Sequence, residues 1–229
     1  MWQKQSASHY RFHADAWCLD VQAGSRGITA QMAVADGSPE SLAIELDGGV
    51  LPALKDSFLR GSDLHLHLPQ DDLPAQAGSF AAASTQLGAT QADMTQAGLE
   101  AVLSVLRSDE DVLVLEATLG LQTQWLDVHP AVRVTLPGVG NAVMIERGSS
   151  LVVQSQDPAA SLVVLIDERD RWSVAPTATD GVRFFGDFME KGVIRKVQPW
   201  FVWSRRSVDE AFLETLLDSL GSRPLPLAG

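Results

Sequence analysis

Over most of this chain apolar residues return at every second position rather than every third or fourth. Side chains of an extended strand point alternately to opposite faces, so this spacing buries one face of a sheet and leaves the other polar. Asp63-Leu64-His65-Leu66-His67-Leu68 is the cleanest case, with three leucines on one face and three polar residues on the other. Pro69 ends it, because proline has no N–H to give to a strand ladder. Ile28 to Val34 and Ser41 to Leu46 read the same way, followed by the turn residues Asp36-Gly37-Ser38-Pro39 and Asp47-Gly48-Gly49.

The second half is denser in strand signals. Val112 to Leu115, Ala131 to Leu136, Ala142 to Ile145, Ser150 to Gln154 and Ser161 to Ile166 are rich in Val, Leu and Ile, with Pro137-Gly138, Gly148 and Pro158 between several of them. Asp167 to Asp170 reads as a charged hairpin tip. Gly192 to Trp203 reads as one last long strand, with Pro199 marking an edge or a bulge. Leu99 to Leu106 is open between strand and helical turn. Residues 74–98 are mostly Ala, Gln, Ser, Gly and Thr and have little to bury. They are expected to form a surface loop or insertion dividing two sub-regions.

The period changes only at the end. Ser207 and Glu210 have the spacing of a capping box, and Phe212, Leu213, Leu216, Leu217 and Leu220 then fall on one helical stripe. Gly221 is the expected left-handed cap, with Pro224 beyond it. The expected fold is therefore mostly β: an antiparallel β-sandwich or partly closed barrel with one C-terminal α-helix, in a single β-rich domain over 1–229.

Composition narrows the function. With 29 acids against 17 bases the net charge is −12, which opposes binding to nucleic acid or an anionic membrane surface. Apolar runs reach about five residues, as at Leu162 to Ile166, far short of a membrane span. No secretory leader pattern opens the chain, so a cytoplasmic location is expected. Cys18 is the only cysteine and reads as a small buried hydrophobe between Trp17 and Leu19. No phosphate-binding loop, dinucleotide fingerprint or nucleophile elbow is present in the sequence, so no organic cofactor is expected.

Two patterns bear on chemistry. His65 and His67 lie two apart on one strand face, a spacing that lets two imidazoles converge on a divalent metal, with Asp71 as a third ligand. The same pair also fits a solvated strand face. The second pattern is aromatic: Trp172, Phe184, Phe185, Trp200, Phe201 and Trp203 crowd the last third. Trp200 and Trp203 are the candidate ligand-stacking residues; core packing is the other use of such side chains.

Two resemblances attach to these residues. The stretch from Gly61 through His65, His67 and Asp71 to Gly78 resembles part of the first motif of the cupins, β-barrel proteins that often hold a metal through two histidines and a carboxylate. It departs from that motif in having Asp71 for glutamate and Pro69 in the connecting segment, and no second motif follows. Separately, Phe188-Met189-Glu190-Lys191-Gly192-Val193-Ile194-Arg195, the Gly61 to Gln70 stretch and the closing Pro224-Leu225-Pro226-Leu227 resemble an uncharacterised bacterial β-rich family. That resemblance implies a fold and no activity. The residues thus leave two functions open: a β-sandwich that binds carbohydrate or a protein partner, or a metal-dependent or sugar-modifying enzyme using His65 and His67.

Overall fold

The computed structural model describes residues 1–14, 16–33, 40–47, 49–70, 97–125, 128–136, 142–155, 162–176, 181–205 and 208–222. They form two antiparallel sheets packed face to face, with one short helix at the C-terminal end. The chain opens with a meander of β1 (Trp2–Lys4), β2 (His9–Ala14), β3 (Trp17–Gly24), β4 (Gly27–Met32) and β5 (Glu40–Leu46). It crosses to the second sheet for β6 (Asp56–Arg60), β7 (Asp63–Leu68), β8 (Gly98–Ser108) and β9 (Val112–Gln122). It returns for β10 (Ala131–Thr135), crosses again for β11 (Ala142–Arg147), β12 (Ser150–Ser155) and β13 (Leu162–Ile166), and comes back for β14 (Val174–Pro176) and β15 (Gly181–Phe185). The second sheet is completed by β16 (Ile194–Val197) and β17 (Trp200–Ser204), and α1 (Glu210–Gly221) follows.

The first sheet runs β1-β2-β3-β4-β5-β10-β15-β14 and the second β11-β12-β13-β17-β9-β8-β7-β6, with β16 also on β9. Each path has two ends, so the fold is a sandwich and not a closed barrel. The alternation read from sequence is what holds the sheets together. Leu64, Leu66 and Leu68 point inward and are fully buried, as are Leu113, Leu115, Leu119 and Leu121 of β9. They share one apolar core with Leu19, Val21, Ile28 and Ile44 of the first sheet.

The helix settles on the outer face of the second sheet. Leu213, Leu216 and Leu220 cover Val112 and Val114 of β9, Trp200 and Val202 of β17, Val163 and Leu165 of β13 and Val152 of β12. The helix covers only that half of the face. Across β8, β7 and β6 the outward residues include Glu100, His67, Asp56 and Phe58, all exposed.

Several local expectations are corrected. The helix is capped by Asp209, whose carboxylate accepts from Phe212 N at 2.9 Å, so Glu210 opens the helix instead of closing a capping box with Ser207, which lies outside the described residues. Gly221 is still helical, and Ser222 ends the helix with right-handed backbone, φ −80°. Asp167 to Asp170 is not a hairpin tip: a 3-10 helix spans Glu168–Ser173, and Asp167 caps it by accepting from Arg169 N at 2.8 Å. Cys18 is half-buried, because strand alternation puts Trp17 and Leu19 inward and Cys18 on the other side. Leu99 to Leu106 is strand, inside β8. Of the expected loop at 74–98, residues 74–96 lie outside the described residues, Ala97 is buried and Gly98 begins β8.

The last long strand is interrupted but keeps one register. Ile194 pairs with Gln122 and Ser204 with Val112 along the same antiparallel ladder, with Gln198 and Pro199 between the two pieces. At the break Asp170 of the 3-10 helix accepts from Gln198 N at 2.6 Å, taking the place of a neighbouring strand's carbonyl.

Candidate binding site

The uncovered half of the second sheet and the adjoining end of the sandwich hold the candidate site. The row of outward residues across β6, β7, β8 and β9 reads Asp56, His67, Glu100 and Gly120, and Lys196 of β16 continues it. With no side chain on Gly120, a groove of about 450 Å³ opens there. His67, Gln70, Glu100, Gln122, Gln124, Lys191 and Ile194 are among its walls. Volumes of roughly 300–1,000 Å³ are typical of small-ligand sites. Gly98 is required at its edge: a Cβ there would stand 2.7 Å from Gln70 N. A wider groove, about 860 Å³, lies between the β11–β12 hairpin and α1, but Arg147 is already paired with Glu210 there and Arg169 with Asp167.

The turn between β15 and β16 separates the groove from an exposed aromatic stripe. Gly192 adopts φ +81°, a left-handed conformation natural to glycine, and its N–H donates to Thr123 O at 2.8 Å. This sends Lys191 and Ile194 to the groove, while Met189 is buried. Arg195, next in sequence, points the other way. Its guanidinium lies 5.7 Å from the centre of the Trp172 ring, and its Nη2 donates to Phe188 O at 2.8 Å. His129 meets the Phe188 ring edge-on at 6.0 Å. His129, Phe188, Arg195 and Trp172 thus form a continuous stripe. Trp172 is 57% exposed and Phe188 46%.

The sequence-predicted residues fall into three groups. His65 and His67 do share the outward face of β7, but they are used differently. The His65 ring stacks on Phe58, centroids 4.4 Å apart and 11° from parallel, and its Nε2 is enclosed with no hydrogen-bond partner among the described residues. His67 is exposed beside the groove. Asp71 lies outside the described residues, and among these no group of three or more His, Cys, Asp or Glu is arranged to hold a metal ion. Trp200 and Trp203 are both buried, one beneath α1 and the other between the sheets, so neither ring offers a face to a ligand.

Of the aromatic residues singled out in the sequence, Trp172 is the one that reaches solvent. Phe188, Lys191 and Arg195 carry the rest of the site. All three belong to the Phe188–Arg195 stretch on which the family resemblance rests, and Trp172 follows a charged run, an unusual neighbourhood for a core tryptophan. Gly120 had no signal in the sequence, because its role is to leave a space.

The geometry of the charges near the stripe is also built by burial. Burial pushes the Asp170 carboxyl above the ordinary carboxylate range. For Asp167 burial acts in the same sense but is outweighed by hydrogen bonds from Arg169, which hold its carboxyl below that range.

The fold and the site define a two-sheet β-sandwich with a polar groove and an exposed aromatic stripe on one end. Compared with known proteins, the chain matches no family model, no curated protein and no solved structure.

Proposed function

We propose that this protein is a carbohydrate-binding β-sandwich that takes a glycan on the Trp172–Arg195–Phe188 stripe. One observation carries the reading. Trp2, Trp17, Trp125, Trp200 and Trp203 are buried, whereas Trp172 stands 57% exposed against the Arg195 guanidinium, which also holds the backbone of the exposed Phe188. An indole face is electron-rich, and the C–H bonds on one side of a pyranose are its natural partners, while hydroxyls take the surrounding donors. Contiguous exposed apolar surface is one of the marks of a binding site. The experiment is a glycan array followed by calorimetry on the hits. Wild-type protein should bind a defined subset of glycans, and Trp172→Ala should weaken that binding at least tenfold with an unchanged melting temperature. An empty array, or binding indifferent to Trp172→Ala, would remove the proposal.

A second reading, a sugar-modifying enzyme, is favoured by the setting of His67. It stands in register between Asp56 and Glu100 at the rim of the groove, an imidazole with two neighbouring carboxylates, groups of the kinds that serve acid–base chemistry. NMR of the array's ligands incubated with the protein tests it: product that disappears in His67→Ala supports catalysis, and unchanged ligand over days leaves binding alone.

A further inference from the structure

The charge on Arg195 specifies the ligand further. The chain carries twelve more acids than bases, and its arginines mostly show where those acids go. Arg11, Arg107, Arg133, Arg147, Arg169, Arg171 and Arg183 each lie against a carboxylate. Arg195 does not. Among the described residues it has no carboxylate partner, although Asp187 and Glu190 stand in the turn just before it. Among the described residues Arg26, Arg60 and Arg205 also have no carboxylate partner, but all three are exposed, and the ring that Arg205 lies over, Trp17, is buried and offers no face to a ligand. Arg195 is half-buried and pinned, by its donation to Phe188 O and by the Trp172 ring. Side-chain entropy is therefore already lost, and the guanidinium keeps further N–H donors that those two contacts do not use.

A fixed guanidinium with no carboxylate partner among the described residues, next to an exposed indole, suits an anion attached to a ring. Its planar fork matches a carboxylate through two parallel hydrogen bonds, which a hydroxyl cannot reproduce. We infer that the ligand of the stripe is an acidic sugar, a glycan unit bearing a carboxylate, whose ring lies on Trp172 while its carboxylate takes the fork of Arg195. The inference rests on the glycan reading and adds the charge. The protein's own negative field disfavours a densely charged polyanion, so one or a few carboxylates in an otherwise neutral chain fit best.

The experiment probes wild-type protein, Trp172→Ala, Arg195→Gln and Arg195→Lys against an array of neutral, uronate-bearing, sialylated and sulfated glycans, with melting temperatures recorded for each variant. The expected result is a set of hits dominated by carboxylated glycans. Their binding should weaken several-fold on raising NaCl from about 50 to about 500 mM, because added salt screens exposed charges. It should fall at least tenfold in Arg195→Gln, with partial retention in Arg195→Lys, where charge survives and the fork does not. Neutral hits that are lost in Trp172→Ala but untouched by Arg195→Gln would overturn the inference and leave the glycan reading standing. Preference for sulfated over carboxylated glycans would overturn the carboxylate assignment alone. An array with no hits would overturn both.

Discussion

Trp200 and Glu116 face each other across β17 and β9, and the indole Nε1 donates to the buried carboxylate at 3.0 Å. The pair sits at the margin of the helix-covered surface, where Trp200 is packed beneath α1. Removing a donor from a buried carboxylate costs about 1–3 kcal/mol beyond the lost packing. Trp200→Phe is therefore expected to destabilise by more than its change in volume implies. Trp203 is the internal comparison, because its Nε1 is enclosed with no partner among the described residues. In urea unfolding, Trp200→Phe and Glu116→Gln should be non-additive by about 0.5–3 kcal/mol, the range found for residues in contact. Trp203→Phe and Glu116→Gln should simply add.

Period-two alternation made the architecture legible, since it depends on nothing but which face of a strand is wet. Leu64, Leu66 and Leu68 could be assigned to the core from their neighbours alone. What the alternation could not say is whether a polar face ends in solvent or under something else. Trp200 occupies an outward position, and α1 covers it; Trp172 lies in a 3-10 helix, where period two does not apply, and emerges into solvent. The sequence therefore identified an aromatic-rich third but not which ring is exposed. The helix stripe was legible because three leucines at helical spacing need a partner surface, whereas its cap depended on whether the chain turns at Ser207 or at Asp209. The groove depended on His67 of β7, Gly120 of β9 and Lys191 of the β15–β16 turn lining one space, information that lies in the register and not in any local pattern.

Asp170 gives stability a pH dependence of unusual sign. Its folded carboxyl is raised by burial, so ionising it costs stability in the folded state. That cost is absent when both states are protonated, below about pH 4, and is fully present once pH exceeds the folded value. Asn at this position keeps an oxygen to accept from Gln198 N and has nothing to ionise. Asp170→Asn is expected to stabilise the protein at neutral pH, and the gain over wild type should shrink as pH falls and vanish below about 4. Thermal melts of both proteins across that range check it; a gain that grows on acidification would contradict the assignment.

Asp20 works in the opposite sense. Burial alone would raise its carboxyl, but hydrogen bonds from Arg11 and His9 outweigh burial and hold it below the ordinary range. Its contribution is present above the unfolded value, near pH 4, and is lost as pH falls through the folded one. Asp20→Asn should destabilise at neutral pH, with the difference from wild type disappearing in acid. A difference independent of pH in the same melts would show that the ion pair contributes nothing.

His65 provides a test of the metal alternative that needs no metal to be found. Its Nε2 is enclosed without a partner among the described residues, and its ring lies flat on Phe58. An unsatisfied polar atom of this kind costs about 1–3 kcal/mol, and phenylalanine would keep the stack without the orphaned nitrogen. His65→Phe is expected to unfold at equal or higher urea concentration. Were His65 a ligand, the same variant would lose bound divalent metal and stability together, which metal analysis and unfolding would both register.

The groove and the aromatic stripe are separable at Gly120. A Cβ there would meet Glu100 Cβ and Ile194 Cγ2 at 3.7 Å, ordinary contact distances, so Gly120→Ala should fold and melt like wild type. Valine suits a strand position and extends two methyl groups into the groove beside Glu100 and Ile194. Gly120→Val should therefore abolish any reaction that depends on the groove while leaving glycan binding at Trp172 within about twofold of wild type, since substitutions away from a contact usually change its free energy by less than about 0.5 kcal/mol. Loss of glycan binding in Gly120→Val, with folding intact, would move the ligand from the stripe into the groove and transfer its recognition to Glu100, His67 and Lys191.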